Sequence, residues 1–439
     1  MKVLAFVLLF LHAACICASG RTLPADTIKL MTYNVGNFGK TPSSQCPLFD
    51  FNLKSACLRT ILAYEKPDII GMTKIDGDEH FCTSTLINYV LDSVCDGCWG
   101  YGVFSEMSGY QKENMLYFNT AKFGLAGSTV IYSADPDISD ISLHKLFYKT
   151  PDLAAAHDTV FLRIVLAHLL SGPGQANARA AEVAGAMNWL NTQGTSAENV
   201  IFMGDLNTTS SFESCFQYLV NSLSANTKFH DPPGQLGYWS DSPAAFAHYL
   251  TQSTRTSDPG DCSATGGLGN RFDHILITAA IKNGSGLMKY VLGTYKVVGQ
   301  DGNHTGKALI DPPDNTSVPG NVNTALYFMS EHLPVILKLA VNSPGNAGIV
   351  TDTKPKIIIL CNSLVAGKII IKPSAEYSPN AAYAHCKAII YGMRGNVVST
   401  TSVNLNQANV IDISIIPKGI YLLAVKTGNG TVTRKFIKE

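Results

Sequence analysis

Between Thr27 and Val341, short apolar runs alternate with longer stretches of helical character, which restricts this part of the chain to a layered α/β fold. Ile28–Tyr33 predicts a strand, Leu53–Glu65 a helix, and Pro67–Met72 a second strand introduced by its proline. Tyr101–Phe104, Asn114–Phe118 and Val160–His168 read as further strands, and the alanine-rich Ala176–Asn191 as a helix. Val200–Met203 and Phe272–Ile277 are short strands bounded by turns, and Phe328–Leu339 contains the last one. Ser224–Leu268 is rich in Gly, Ser, Thr, Asp and Pro, and is expected to be a long loop decorating a site rather than framework.

The ends of the chain have a different character. Lys2, an apolar run from Val3 to Ala18, and the small residues Ala18-Ser19-Gly20 read as a secretory signal peptide over residues 1–20. The run falls short of the roughly 20 apolar residues a spanning helix needs, and His12 interrupts it. His12 also stands where a lipoprotein signal ahead of Cys15 would carry a branched apolar residue. No later segment is apolar for long enough to span a bilayer, so the expected product is a soluble, exported monomer with no transmembrane segment. Residues 342–355, with prolines and small polar residues, read as a linker. Beyond it, Ile357–Cys361, Lys368–Lys372, Lys387–Tyr391, Val410–Ile413, Ile420–Val425 and Thr431–Ile437 are short strands at regular spacing, with turns such as Gly428-Asn429-Gly430. They predict a small β-sandwich over 356–439 that carries no acidic or histidine cluster.

Charge and cysteines limit the partners. The chain has 33 Lys+Arg and 33 Asp+Glu, and losing Lys2 leaves 33 − 1 = 32 basic residues. A balanced chain exerts no global pull on nucleic acid or an anionic membrane, so such a partner must be gripped locally. Of 11 cysteines, removing Cys15 and Cys17 leaves nine, an odd number that requires a free thiol or an intermolecular bond. Export permits disulfides, and Cys95-Asp-Gly-Cys98 reads as a local structural bridge rather than a redox or zinc pair.

Three strings far apart in sequence would make one acidic cluster if brought together: Met31-Thr32-Tyr33-Asn34, Gly204-Asp205-Leu206-Asn207 and Ser330-Glu331-His332-Leu333-Pro334. Each adjoins an apolar run, which places it where a buried strand meets a loop. Together they supply amides, carboxylates and an imidazole, the groups that hold a divalent cation and cleave a phosphoester. Asn207, two residues after Asp205, shares its side if the chain stays extended. Asp273, after Arg271-Phe272, can orient the His332 imidazole, because a carboxylate on one ring nitrogen raises the basicity of the other. His168 closes the strand before it. Singly, these residues read equally well as turn caps, surface acids and a satisfied buried histidine.

In combination and in order, they resemble the endonuclease/exonuclease/phosphatase superfamily, over about residues 27–341. Tyr33-Asn34 looks like the first-strand motif, and Pro67-Asp68-Ile69-Ile70-Gly71 like the run preceding the metal-ligand glutamate. His168 matches the histidine that contacts the scissile phosphate; Asp205 and Asn207 match the pair that orients water and phosphate. Asp273 and His332 match the second dyad, with Glu331 where the family usually has Asp. Thr251-Gln252-Ser253-Thr254-Arg255 resembles secreted bacterial members. The resemblance implies a four-layer α/β/β/α sandwich with the site at one sheet edge. It implies Mg²⁺, Mn²⁺ or Ca²⁺ near Asn34, Asp205 and Glu331, and phosphate contacts from Asn34, His168 and Asn207.

One position departs from the pattern. Where the family reads Gly-Leu-Gln-Glu-Val, this chain has Gly71-Met72-Thr73-Lys74-Ile75, an ammonium in place of a ligand carboxylate. Like unit charges 4 Å apart repel by about 4 kcal/mol at an effective dielectric near 20. Lys74 is therefore expected either to take the cation's place beside Asp205 and Glu331, with metal weakly bound if at all, or to reach solvent while Asp76 or Asp78 serves as ligand.

The carboxyl-terminal segment resembles the sorting domain of type IX secretion in Bacteroidetes. The residues that carry this likeness are Pro417-Lys418-Gly419-Ile420-Tyr421, the terminal Thr433-Arg434-Lys435-Phe436-Ile437-Lys438, and Tyr391-Gly392-Met393-Arg394-Gly395. Near its start, Lys372-Pro373 replaces the usual Asn-Pro. The likeness implies the type IX secretion machinery as a partner and a protein that is secreted or attached at the outer-membrane surface. A carbohydrate- or nucleic-acid-binding module is the rival reading. The expected function is a secreted, divalent-metal-dependent phosphodiester hydrolase acting on DNA or RNA. A phosphatase or sphingomyelinase of the same fold, or a phosphate-binding pseudoenzyme, is the alternative.

Overall fold

The computed structural model describes residues 26–104, 113–133, 140–149, 159–193, 198–222, 224, 227–341, 357–360, 364–365, 367–373, 386–392, 396–427 and 430–439. The expected signal peptide, the linker, Cys361, Met393-Arg394-Gly395 and Gly428-Asn429 lie outside the described residues. The chain divides into two compact units, Met1–Asn346 and Ala347–Glu439. No helix among the described residues is long and apolar enough to cross a membrane.

The first unit contains strands β1 (Asp26–Phe38), β2 (Ile69–Ile75), β3 (Trp99–Tyr101), β4 (Glu113–Asn119), β5 (Phe123–Tyr132), β6 (Ile141–Tyr148) and β7 (Phe161–His168). These are followed by β8 (Asn199–Asp205), β9 (Phe229–His230), β10 (Asp273–Thr278), β11 (Met288–Tyr290), β12 (Lys296–Val297) and β13 (Val335–Val341). The helices are α1 (Phe51–Glu65), α2 (Leu86–Tyr89), α3 (Ala176–Thr192), α4 (Ser214–Val220), α5 (Ala279–Asn283) and α6 (Gly320–Met329).

One sheet runs β11-β13-β1-β2-β4-β3, with β12 also on β13; the other runs β5-β6-β7-β8-β10-β9. The central pairs β1–β2 and β7–β8 are parallel, and their flanking partners are antiparallel. The two sheets face each other across one apolar core, to which β1, β2, β4, β7, β8 and β13 all contribute. Helices α1 and α6 cover the outer face of the first sheet; α3 and α4 cover that of the second. The result is an α/β/β/α sandwich. Central strands covered on both faces read as continuous apolar runs rather than alternating ones, and every residue of β8 is buried.

Local signals set the elements that carry the site. Asp50 caps α1 by accepting from the Leu53 N–H at 3.0 Å. Lys66 ends that helix in the left-handed region, and Pro67 starts the run into β2. Strand β1 continues through Asn34 to Phe38, beyond the expected end at Tyr33. Within Phe328–Leu339, Phe328 and Met329 close α6, and the last strand begins at Val335. Apart from β9 and a 3-10 helical stretch at Pro243–Tyr249, the described residues of 224–268 are loop, yet Trp239, Thr254 and Arg255 are fully buried, so the segment is framework as well as decoration. Among the described residues, disulfides join Cys46 to Cys262 and Cys95 to Cys98, and Cys57, Cys82 and Cys215 are buried thiols.

The second unit has β14 (Ile357–Leu360), β15 (Leu364–Val365), β16 (Lys368–Pro373), β17 (Cys386–Gly392), β18 (Val397–Val403), β19 (Asn409–Asp412), β20 (Gly419–Thr427) and β21 (Gly430–Lys438). They form sheets β14-β16-β19 and β15-β21-β20-β17-β18. Ile369, Ile371 and Ile411 of the first share one core with Ile390, Leu423 and Phe436 of the second, making a small β-sandwich.

Candidate functional site

The paired sheets bring three strand ends up to a residue within β1. Asp205 ends β8 and Asp273 opens β10, and the two are directly opposed in the antiparallel register. His168 ends β7 opposite Asp205 in the parallel register, and Asn34 lies in β1 of the facing sheet. The β7–β8 approach is tight: Gly204 has φ +136°, and a Cβ there would lie 1.8 Å from the Ala167 carbonyl oxygen. Only glycine fits.

The polar groups connect through Asp205. Asn34 Nδ2 donates to its Oδ2 at 2.8 Å, and the Asn207 N–H donates to its Oδ1 at 2.9 Å. His168 Nε2 stands 3.6 Å and His332 Nε2 3.7 Å from Oδ2. Asn207, at φ +49°, turns its side chain to donate to the Leu169 carbonyl at 2.8 Å. His332 Nδ1 meets Asp273 Oδ2 at 2.7 Å, while Asp273 Oδ1 is buried with no hydrogen-bond partner among the described residues. The structure thus places Asn34, His168, Asp205, Asn207, Asp273 and His332 at one end of the sandwich, with Glu331 beside them.

Electrostatics set these groups apart. Burial raises Asp205, and nearby Asp273 adds to this; His332 and the Asn34 bond pull the other way, leaving it at about 6. Burial lowers His332, but Asp273 and then Asp205 more than offset this and hold it at about 9. Near neutrality the imidazole is therefore charged while Asp205 is largely ionised. Nε2 of His332 also meets the Gln252 amide nitrogen at 2.8 Å and Asn34 Nδ2 at 3.3 Å. A neutral ring accepts from these amides; a charged ring donates, and Gln252 then turns its amide oxygen inward.

Lys74 approaches from the facing sheet. The β2–β4 register shifts between Met72 and Ile75, and Lys74 has φ +60° within that bulge. A bulge re-aims a side chain, and here Nζ lies 2.6 Å from Glu331 Oε1. Burial works against the charge of both partners. Lys74 nevertheless brings Glu331 down to about 2, and Glu331 in turn raises Lys74 above the ordinary lysine value. Gly36, at φ +56°, makes room for this carboxylate, since a Cβ there would lie 2.7 Å from Glu331 Oε2.

Asp205, Asp273 and His332 form a candidate cation cluster, with ligand atoms within 4.8 Å of one another. Around Glu331 the residues do not fit a divalent ion, because Lys74 already occupies that carboxylate. A dication about 4 Å from the ammonium would meet about 8 kcal/mol of repulsion at an effective dielectric near 20.

Sequence reasoning missed Gln252 as a contact of His332 and Ser330 as a strut. Ser330 Oγ donates to the Asn34 carbonyl at 2.8 Å and accepts from the His332 N–H at 3.1 Å. Both lie in strings already singled out, Thr251–Arg255 and Ser330–Pro334, and a polar side chain beside a candidate site residue was the available signal.

Comparison with known proteins completes the picture. Residues 365–439 match the family described as the secretion system C-terminal sorting domain. A sequence comparison with curated proteins finds no match. Among solved structures, an endonuclease/exonuclease/phosphatase family protein from Bacteroides thetaiotaomicron is 13% identical with TM-score 0.45, covering 74% of this chain and 98% of its own. D. rerio TDP2 complexed with single strand DNA product is 12% identical with TM-score 0.45, over 72% and 99% of the two chains. The human Nocturnin catalytic domain with bound sulfate is 12% identical with TM-score 0.42, over 72% and 97%. The chain thus carries an α/β/β/α sandwich followed by a segment, residues 365–439, that matches the secretion system C-terminal sorting domain.

Proposed function

We propose that the protein is an exported phosphodiester hydrolase in which the Lys74 ammonium stands where the related pattern has a metal-ligand glutamate. The observation that carries this is the buried Asn34–Asp205–His332–Asp273 chain of contacts, with His168 beside Asp205. A carboxylate with its pKa near 6 suits a general base at neutral pH, which gives Asp205 the role of taking the proton from an attacking water. The water oxygen forms the new bond to phosphorus, the bond to the leaving alcohol breaks, and solvent protonates that alcohol. The His332 imidazolium, fixed by Asp273, and His168 face the charge that grows on the phosphoryl oxygens. Asn34 and Asn207 hold Asp205 in place from either side. No step requires a divalent ion, and any such ion is weakly held.

Nucleic acid is the proposed substrate class, and the sorting domain makes the place of action the cell surface or the medium. The purified protein should be assayed on DNA, RNA and a chromogenic phosphodiester, beside Asp205→Ala and His332→Ala. Hydrolysis lost in both variants supports the reading. Hydrolysis retained in both removes it, and binding of a phosphate ester without turnover favours the pseudoenzyme.

A further inference from the structure

The corner that carries Glu331 and His332 is held from outside the site. Helix α6 ends at Met329, and an α-helix leaves its last carbonyls without intrahelical donors. Here three of them go to two buried cations. Arg255 Nε and Nη2 donate to the Tyr327 carbonyl at 3.0 and 2.9 Å, and Nη2 donates to that of Phe328 at 3.0 Å. Lys54, from α1, donates to the Met329 carbonyl at 2.8 Å.

Both cations converge on one carboxylate. Arg255 Nη1 donates to Asp261 Oδ1 and Oδ2 at 2.7 and 2.8 Å, and Lys54 Nζ lies 3.0 Å from Oδ2. Without Asp261 the two cations would face each other unpaired in the interior and repel, and one would have to leave its carbonyl. The very next residue after the α6 end is tied to the same assembly: Thr254, adjacent to Arg255, donates through Oγ1 to the Ser330 carbonyl at 2.7 Å and through its N–H to that of Glu331 at 2.9 Å.

Asp261 itself lies in a segment with neither helix nor strand. Besides Arg255 and Lys54, its segment is held by local turn bonds to Asp258 and Ser263, by Ser263 Oγ accepting from Arg255 Nη1, by Ser253 Oγ donating to the Ala264 carbonyl at 2.7 Å, by a Leu48 N–H donating to the Gly260 carbonyl at 2.9 Å, and by the disulfide from adjacent Cys262 to Cys46, 216 residues away in sequence. The disulfide is the covalent tie of an otherwise irregular loop.

We propose that Asp261 is a positioning residue for Glu331 and His332, and that the Cys46–Cys262 disulfide clamps it in place. Asp261 touches neither substrate nor reacting atoms. It acts through Arg255 and Lys54 on the end of α6, so its loss should loosen the corner before the strands beneath it. The kinetic part rests on the proposed hydrolase activity; the structural part does not.

The test uses hydrogen exchange on the full chain, read at the amides of Thr254, His332 and Leu333. These donate to Glu331 O, Ser330 Oγ and Thr251 O in the intact corner. Asp261→Asn and the double variant Cys46→Ser/Cys262→Ser should each speed exchange there by tenfold or more, while β7 and β8 amides keep their wild-type rates. Asp261→Glu, which keeps the charge, should restore protection. In the kinetic arm, Asp261→Asn should lower kcat about tenfold with KM little changed. Unchanged exchange at all three amides in both variants overturns the proposal, as does acceleration spread equally over β7 and β8. Should Asp261→Asn not fold, the cysteine variant and Asp261→Glu decide by the same readout. Absence of wild-type turnover counts against the hydrolase reading alone, because the exchange readout is independent of it.

Discussion

Lys74 Nζ lies 2.6 Å from Glu331 Oε1, an ammonium against a buried carboxylate at the edge of a group that contains two further acids. Side-chain exposure is 18% for Lys74 and 1% for Glu331, so the pair is reached by solvent from the lysine side only. That geometry satisfies Glu331 with a single charge. It leaves Asp205 and Asp273 to share the imidazole of His332.

The pair should show in acid stability. Glu331 has a pKa of about 2 in the fold, below its ordinary value near 4.5. Its contribution is therefore complete above about 4.5 and is lost as pH falls from there toward 2. Lys74→Met removes the partner and leaves a buried charge, at a cost of about 3 kcal/mol at pH 7. Urea unfolding at pH 7, 4.5 and 3 measures both. The wild-type midpoint should fall across this window, and the Lys74→Met midpoint should start lower and change less.

Activity should follow a bell. The base needs Asp205 ionised, so the rate rises as pH passes about 6; the imidazolium needs its proton, so the rate falls as pH passes about 9. The two groups interact, and the limbs belong to the pair rather than to either residue. Asp273→Asn removes the carboxylate that most favours the charged ring and should move the alkaline limb downward. Stopped pH–rate measurements from pH 5 to 10 on both proteins check this, and an alkaline limb that does not move would remove His332 from the role given to it.

How much of this was legible in sequence differs by residue. Asn34, His168, Asp205 and Asp273 were, because each stands in or at the end of a run of buried strand residues where backbone pattern alone fixes the neighbourhood. Lys74 was legible as a departure and in its aim at the acidic cluster, where it meets Glu331; the bulge that turns it was not, since it depends on the register with β4. Strands β5 and β6 escaped notice: half of Phe123–Tyr132 is small or polar, and edge position lets Leu125 stay exposed. Helix α6 was hidden because Asn321–Thr324 looks like a loop and the apolar Ala325–Met329 fits a strand equally well. The Asp261 assembly and the Cys46–Cys262 disulfide join segments that sequence pattern cannot pair.

The carboxyl-terminal unit should be separable. Residues 365–439 match a sorting domain, and their core shares no residue with the site. Deleting residues from 356 onward should block release from the producing cell while the recombinant remainder keeps its activity. Fractionation of cells and medium, with the assay run on purified truncated protein, reads both; normal release of the truncated form would end this assignment.

The decisive experiment concerns the Lys74 position. Phosphodiester turnover should be measured against Mg²⁺ concentration, with a chelator as the zero point, for the unmodified protein, Lys74→Glu and Lys74→Glu/Asp205→Ala. The unmodified protein should turn over slowly and respond little to Mg²⁺. Lys74→Glu should gain tenfold or more in turnover with saturable Mg²⁺ dependence, and the double variant should lose that gain. Robust Mg²⁺-dependent cleavage by the unmodified protein, unimproved by Lys74→Glu, would mean that the ammonium does not hold the cation's place and that another acid supplies the ligand.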